Sequence, residues 1–218
     1  MKTKRVLYVV LMLLPLVMTL AALPLLPEQI PAHYGPDNVV TRWGSKYETL
    51  VFPAMSILFG LLMLLIARAA GKQENGGGNN ARICMTAGAL GLVLFNGMTA
   101  YFLGTDFAQL EDLSQAAVDL DSLMWSVLGV GLIVLGNIMP RTKRNSLLGL
   151  RTVWSMSSEQ AWKKSQRFGG IVSMVSGAAV IAVCLAADGT LCTVACLGIL
   201  LAMAAADVSY SYLAAKDR

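Results

Sequence analysis

Charge is what this 218-residue sequence has least of. Only 14% of its residues are Asp, Glu, Lys or Arg, while 56% are hydrophobic and the mean hydropathy is +0.62. Soluble domains carry roughly 25% charged residues, so a domain that surrounds its core with a charged shell is excluded. Histidine is almost absent, with His33 the single one. No Gly-rich phosphate loop, His-Glu-x-x-His or nucleophile elbow occurs, so no catalytic residue is assigned and the chain reads as a non-enzyme. The four cysteines, Cys84, Cys184, Cys192 and Cys196, fall within or at the ends of apolar stretches, where a thiol behaves as a small hydrophobe. Cys192 and Cys196 are one helical turn apart, but no second ligand pair of zinc-type spacing exists, so neither metal nor cofactor is expected. A bridge between Cys184 and Cys192 across the Asp188-Gly189 turn stays open as an alternative.

What the sequence does have is long apolar runs. Charges are excluded from six windows, at 6–23, 50–67, 83–104, 122–139, 168–187 and 190–206. Each is close to the roughly 17–25 residues that span a bilayer as a helix. The first is too long for a signal-peptide core and lacks a clean cleavage site, so it reads as a retained helix. Pro15 within it removes a backbone hydrogen bond, which neighbouring helices in a membrane compensate. Fifteen of the seventeen Lys and Arg residues lie on one side of these spans, leaving Arg42 and Lys46 on the other. By the positive-inside rule both termini are cytoplasmic. The expected fold is therefore all-α, a polytopic membrane bundle of six transmembrane helices. Its basic residues, despite a pI near 8.9, border apolar spans and signal topology, not nucleic-acid binding. Membrane lipids are the first partner.

The connections divide the chain into an N-terminal two-helix unit (1–70), a flexible cytoplasmic linker (71–82) containing Gly76-Gly77-Gly78-Asn79-Asn80, and a C-terminal four-helix unit (83–218). Glycines recurring in the later spans allow close helix packing. Asp207 is the one ionisable side chain read inside a span, near its cytoplasmic end, with Asn96 and Asn137 as polar company. Such a carboxylate is a functional candidate by default, and Lys216 or Arg141 are its expected partners.

Two loops carry patterns that topology does not require. The external loop 23–48 holds four prolines and two glycines, implying fixed turns and extended pieces. Within it stand Pro27, Pro31, His33, Gly35, Asp37, Gly44 and Lys46. His33 is a candidate pH sensor or metal ligand, but a metal site needs partners this loop lacks, so a residue held by local hydrogen bonds is the preferred reading. The cytoplasmic loop 140–167 holds seven basic residues facing the inner leaflet, each attracted to anionic lipid by about 1 kcal/mol. Ser157 and Gln160 suggest a capping box opening a short helix 158–167, with Trp162 at the interface. An anchoring loop accounts for the charge. It does not account for the order of the uncharged residues Asn145, Gly149, Thr152 and Trp154.

That order resembles the hallmark segment of the SdpI family of small bacterial membrane proteins. Gly136-Asn137, Met139-Pro140, Asn145, Gly149, Arg151-Thr152, Trp154, Glu159, Trp162 and Arg167 stand in register with it. Val153 departs where the family has Pro, and Gln166 where it commonly has His. The external loop is similar to the domain of unknown function that precedes the segment in many family members. The resemblance implies a multi-pass protein of the bacterial plasma membrane that gives immunity to a membrane-active peptide toxin. It also implies a cytoplasmic transcriptional regulator as partner, and it places the toxin- or partner-binding residues in the motif. A small transporter or channel using Asp207, Asn96 and Asn137 is the alternative. Oligomeric state is not legible.

Overall fold

The structure, a computed structural model, describes all residues except 1, 36, 73–76, 117, 146–148, 188 and 217–218, with side chains from residue 5 onward. Six helices are long and apolar enough to cross a membrane: α1 (Lys2–Ala22), α2 (Val51–Gly71), α3 (Gly77–Ala108), α4 (Leu120–Ile138), α5 (Glu159–Cys184) and α6 (Gly189–Lys216). This is a multi-pass membrane protein. The external loop's extended pieces pair as an antiparallel hairpin, β1 (Gln29–Tyr34) with β2 (Val40–Ser45). Pro31 cannot donate to the ladder, and the register slips on both sides of His33. Of the sequence features above, Gly76 and Asp188, one of the four loop prolines (Pro36), the basic Arg218 and the side chains of the basic Lys2 and Lys4 lie outside the described residues.

The chain forms two compact units. The first comprises residues 1–64 and 88–120. In it, Pro15 leaves the Leu11 carbonyl without its helical donor, and the Asn96 side-chain amide donates to that oxygen at 2.8 Å. Ser56 Oγ donates to the neighbouring Met12 carbonyl at 3.3 Å. Asn96 is thus the compensating neighbour that a proline inside a membrane helix needs. Tyr8, 2% exposed, donates to the Gly60 carbonyl at 3.0 Å. Leu61, Leu62 and Leu65 of α2 stay exposed, as lipid-facing side chains do.

The acidic segment after α3 is tied to the hairpin. Val40 N–H donates to the Glu111 carbonyl (2.8 Å) and Leu113 N–H to the Asn38 carbonyl (2.9 Å). Asp106, just past the apolar window 83–104, lies in the last turn of α3 and is 3% exposed.

The second unit comprises residues 65–87 and 121–218. The glycines of α4 and α5 form a seam: a Cβ on Gly136 or Gly170 would stand 2.5 Å from the other's carbonyl oxygen. Here the backbones touch, as small residues in membrane helices permit. The expected short interfacial helix is instead the opening of α5, which runs unbroken through the bilayer-length stretch. Its N-cap is Ser158, not Ser157. Ser158 Oγ accepts from Ala161 N–H at 3.0 Å, whereas Ser157 Oγ donates to the Trp154 carbonyl at 2.7 Å. Ser158→Ala is expected to destabilise this end of α5 by about 0.5–2 kcal/mol. Hydrogen exchange at Ala161 and its neighbours reads the effect, and Ser157→Ala should leave the Ala161 amide protected.

Candidate functional site

The motif loop of the second unit is held by a chain of hydrogen bonds. Past α4, Met139–Arg141 form a tight helical turn, closed by Thr142, whose N–H and Oγ both donate to the Met139 carbonyl at 2.9 and 2.7 Å. Trp162 is 1% exposed and its indole N–H donates to the Thr142 carbonyl at 3.0 Å. This corrects the interfacial placement expected for it. Nothing amphipathic remains for Trp162 to do at a headgroup, because its ring is enclosed and its polar atom satisfied.

Gly149 takes a left-handed φ of +89°, and a Cβ there would collide with Gln166 Oε1. Gln166, 1% exposed, accepts from Leu150 N–H (3.0 Å) and donates to the Leu150 carbonyl (2.8 Å). An amide matches both backbone groups of one residue, which an imidazole, with its two nitrogens on opposite flanks, does not. The departure from His at this position therefore comes with its own structural role.

Beyond Gly149, Ser155 Oγ donates to the Leu150 carbonyl at 2.8 Å and accepts from Thr152 N–H at 2.9 Å. Thr152 Oγ donates to Ser211 Oγ of α6 at 2.8 Å. The loop is therefore latched to α6 at a buried serine, 0% exposed. Trp154 packs edge-on against Tyr212 (centroids 5.4 Å apart, planes at 77°), and Lys216 Nζ lies 5.4 Å from the Tyr212 ring centroid. Asn145 is buried, with its amide donating to the Lys143 carbonyl at 2.7 Å. Arg151, Val153 and Trp154 form the exposed crest of the loop, Val153 at 79%. Asn137, Pro140 and Arg167 are also exposed.

Beneath this loop lies a cavity of about 360 Å³, walled by Leu132, Leu135, Met139, Leu150 and Ser173 among others and reached by Asp207. Asp207 is 7% exposed, and its Oδ1 has no hydrogen-bond partner among the described residues. Neither Lys216, engaged with Tyr212, nor Arg141 pairs with it. Gly169 opens the space beside it: a Cβ at that position would stand 3.3 Å from Asp207 Oδ1.

The first unit has its own cavity, of about 490 Å³, under the hairpin. Ile30, Pro31, Phe52, Phe102 and Leu103 give it apolar walls, with His33, Tyr34, Arg42, Glu48 and Asp106 as its polar groups. Arg42 grips Glu48 with both terminal nitrogens, at 3.0 and 2.7 Å, which raises the guanidinium further above its ordinary value. Tyr34 donates to the Leu110 carbonyl at 2.9 Å, and burial pushes its phenol up. His33 Nδ1 is hydrogen-bonded to Thr41 Oγ at 2.6 Å, the local role expected of it. Lys46 Nζ pairs with Glu28 at 2.9 Å. Asp37 and Gly35 shape the hairpin turn: Gly35 N–H donates to the Val39 carbonyl at 2.8 Å and Asp37 Oδ1 accepts from Val39 N–H at 3.4 Å. Gly44 has no room for a side chain beside Glu48 and Ala32. Pro27 is half-buried in the approach to β1.

Residues 141–211, which contain the latched loop and Asp207, match the SdpI/YfhL protein family. Residues 10–57, spanning α1, the hairpin and the start of α2, match a domain of unknown function, DUF1648. The chain is 22% identical over 177 residues to the immunity protein SdpI of Bacillus subtilis (strain 168), covering 80% of this chain and 78% of that protein. No solved structure is significantly similar to it.

The matched segment, 141–211, brings Asn145, Gly149, Thr152 and Trp162 into one hydrogen-bonded body and leaves Arg151 and Trp154 on its surface. Ser155 and Ser211, which help hold the segment together, were missed in the sequence, and Gln166 was read there only as a departure from the family's His. Ser211 had a visible signal, since it stands one helical turn after Asp207 on α6 and shares its face. Ser155 had none, and Gln166 had only its place in the motif.

Proposed function

We propose that this protein resides in a bacterial plasma membrane, with both termini cytoplasmic, and protects the cell against a membrane-active peptide toxin. The observation that carries the reading is its similarity to the immunity protein SdpI over 80% of this chain, beside the match of residues 141–211 to the SdpI/YfhL protein family. In this orientation the basic motif loop faces the cytoplasm. There it meets anionic lipid and is accessible to a cytoplasmic transcriptional regulator that the exposed crest of Arg151, Val153 and Trp154 recruits. Expression in a toxin-sensitive host should raise survival against one or more secreted membrane-active peptides. Unchanged killing by every peptide of a broad panel, with the protein present in the membrane, overturns the reading.

The orientation is tested separately. A reporter fused after Lys216 should be active inside the cell, and one inserted near Asp112 should be active outside, because the basic residues lie almost wholly on one side. An external C-terminus would reverse the placement of the motif loop and remove the regulator from its reach.

Asp207 supports a second reading, a small transporter. A buried carboxylate oxygen without a partner, facing a cavity, suits a cationic or proton-carrying substrate. Asp207→Asn separates the two: a transporter loses flux in vesicles, whereas an immunity protein keeps its protection.

A further inference from the structure

The sequence pairs Cys192 with Cys196 and leaves them short of a ligand set. Folding supplies the third. Cys184, the last residue of α5, meets the first two turns of α6, so that Cys192 Sγ is 3.5 Å from Cys184 Sγ and 4.0 Å from Cys196 Sγ. All three sulfurs lie within 4.8 Å of one another. Cys192 and Cys196 are 0% exposed and Cys184 8%. Three sulfurs bound to one ion at about 2.3 Å in a trigonal plane would stand about 4.0 Å apart. The observed triangle is already close to that size.

The surroundings select the ion. Trp125, Val180, Val183, Ala187 and Ile199 pack around the sulfurs. Trp125 is itself held by a hydrogen bond from its indole N–H to Thr193 Oγ at 3.0 Å. Among the described residues no imidazole or carboxylate joins the cluster. Thiolates without harder donors favour soft ions. Zinc in structural sites takes four ligands, one more than the described residues offer. We propose that Cys184, Cys192 and Cys196 form a three-sulfur site for a soft, thiophilic ion such as Cu(I), which clips the end of α5 to the start of α6. Binding needs thiolates, so uptake displaces thiol protons.

The test uses the full chain, purified in detergent without oxygen and titrated with Cu(I) against a competing chelator. One Cu(I) per chain with a sulfur-only first shell by X-ray absorption is expected. Cys192→Ser should lower the affinity by more than about 100-fold, since losing a ligand costs more than the 10–100-fold of losing an outer-shell partner. Cys84→Ser, which removes a cysteine packed elsewhere against Ala67 and Ala70, should leave it unchanged. If Cys192→Ser does not stay folded, Cys196→Ala replaces it, with the same loss expected. Undiminished Cu(I) binding by a chain lacking all three cysteines overturns the proposal. So does a Cys184–Cys192 disulfide that persists under reducing purification, or equal affinity for Zn(II) through nitrogen or oxygen donors. Failure to bind Cu(I) at all means three thiols that are packed only as small hydrophobes. None of these outcomes bears on toxin protection, which is read separately.

Discussion

Arg151→Lys and Trp154→Ala are each expected to abolish toxin protection or regulator recruitment while leaving expression and membrane insertion intact. Both side chains stand on the exposed crest of a loop whose shape is set by others: Gln166 on Leu150, Ser155 on Leu150 and Thr152, and Thr152 on Ser211. Arg151 has no partner among the described residues, so its guanidinium is available to a bound molecule. Lys keeps the charge but not the planar fork that makes bidentate hydrogen bonds or stacks on rings. Lipid attraction depends mainly on charge and would survive the exchange. Trp154→Ala also removes an edge-on ring contact with Tyr212, worth about 0.5–1.5 kcal/mol beyond the area it buries, and leaves the loop's hydrogen bonds through Gln166, Ser155 and Ser211 in place. Lys163→Ala, exposed on the first turns of α5, is the control and should protect as well as the parent. Equal protection by all three variants would make the motif scaffold alone. Survival curves against the toxin, with membrane-fraction blots, make the comparison.

Trp162→Ala is expected to be the most destabilising single change in the second unit, by about 3–5 kcal/mol from lost burial and the cavity left behind. Trp162→Phe should cost less. It retains most of the packing but strands the Thr142 carbonyl, a penalty of about 1–3 kcal/mol for a buried unsatisfied group. The order Ala above Phe above parent, read as loss of the folded fraction on heating in detergent, distinguishes an enclosed indole from one lying at the bilayer surface. An interfacial Trp162 would give small and similar losses for both variants. Because Trp162 links α5 to the turn after α4, its loss should also expose the Asn145–Thr152 stretch to proteolysis.

The six bilayer-length helices were legible in the sequence, because a window of about 20 residues without charge has few alternatives to a helix when its backbone groups meet no water. Helix ends were less legible. α3 begins at Gly77, inside the stretch read as linker, and α5 absorbs the helix expected as a separate interfacial piece. Glycine and polar residues signal breaks locally, but packing overrides them: Asn80 is 0% exposed and Trp162 1% exposed in these extensions. Pro15 announced a broken hydrogen bond. That Asn96, far along the chain, mends it is decided only when α3 is placed against α1.

The same division holds at the candidate sites. The motif residues were named from their order along the chain, which is a property of sequence. Which of them are scaffold and which are surface was not, because it depends on contacts between residues far apart along the chain. Gln166 reaches Leu150 across sixteen positions and Thr152 reaches Ser211 across fifty-nine. The three-sulfur cluster makes the point in its simplest form. Spacing along α6 sets Cys192 beside Cys196, since residues four apart share a helix face. Cys184 joins them only because α5 and α6 fold back on each other, and a turn between helices brings together what no period in the sequence relates.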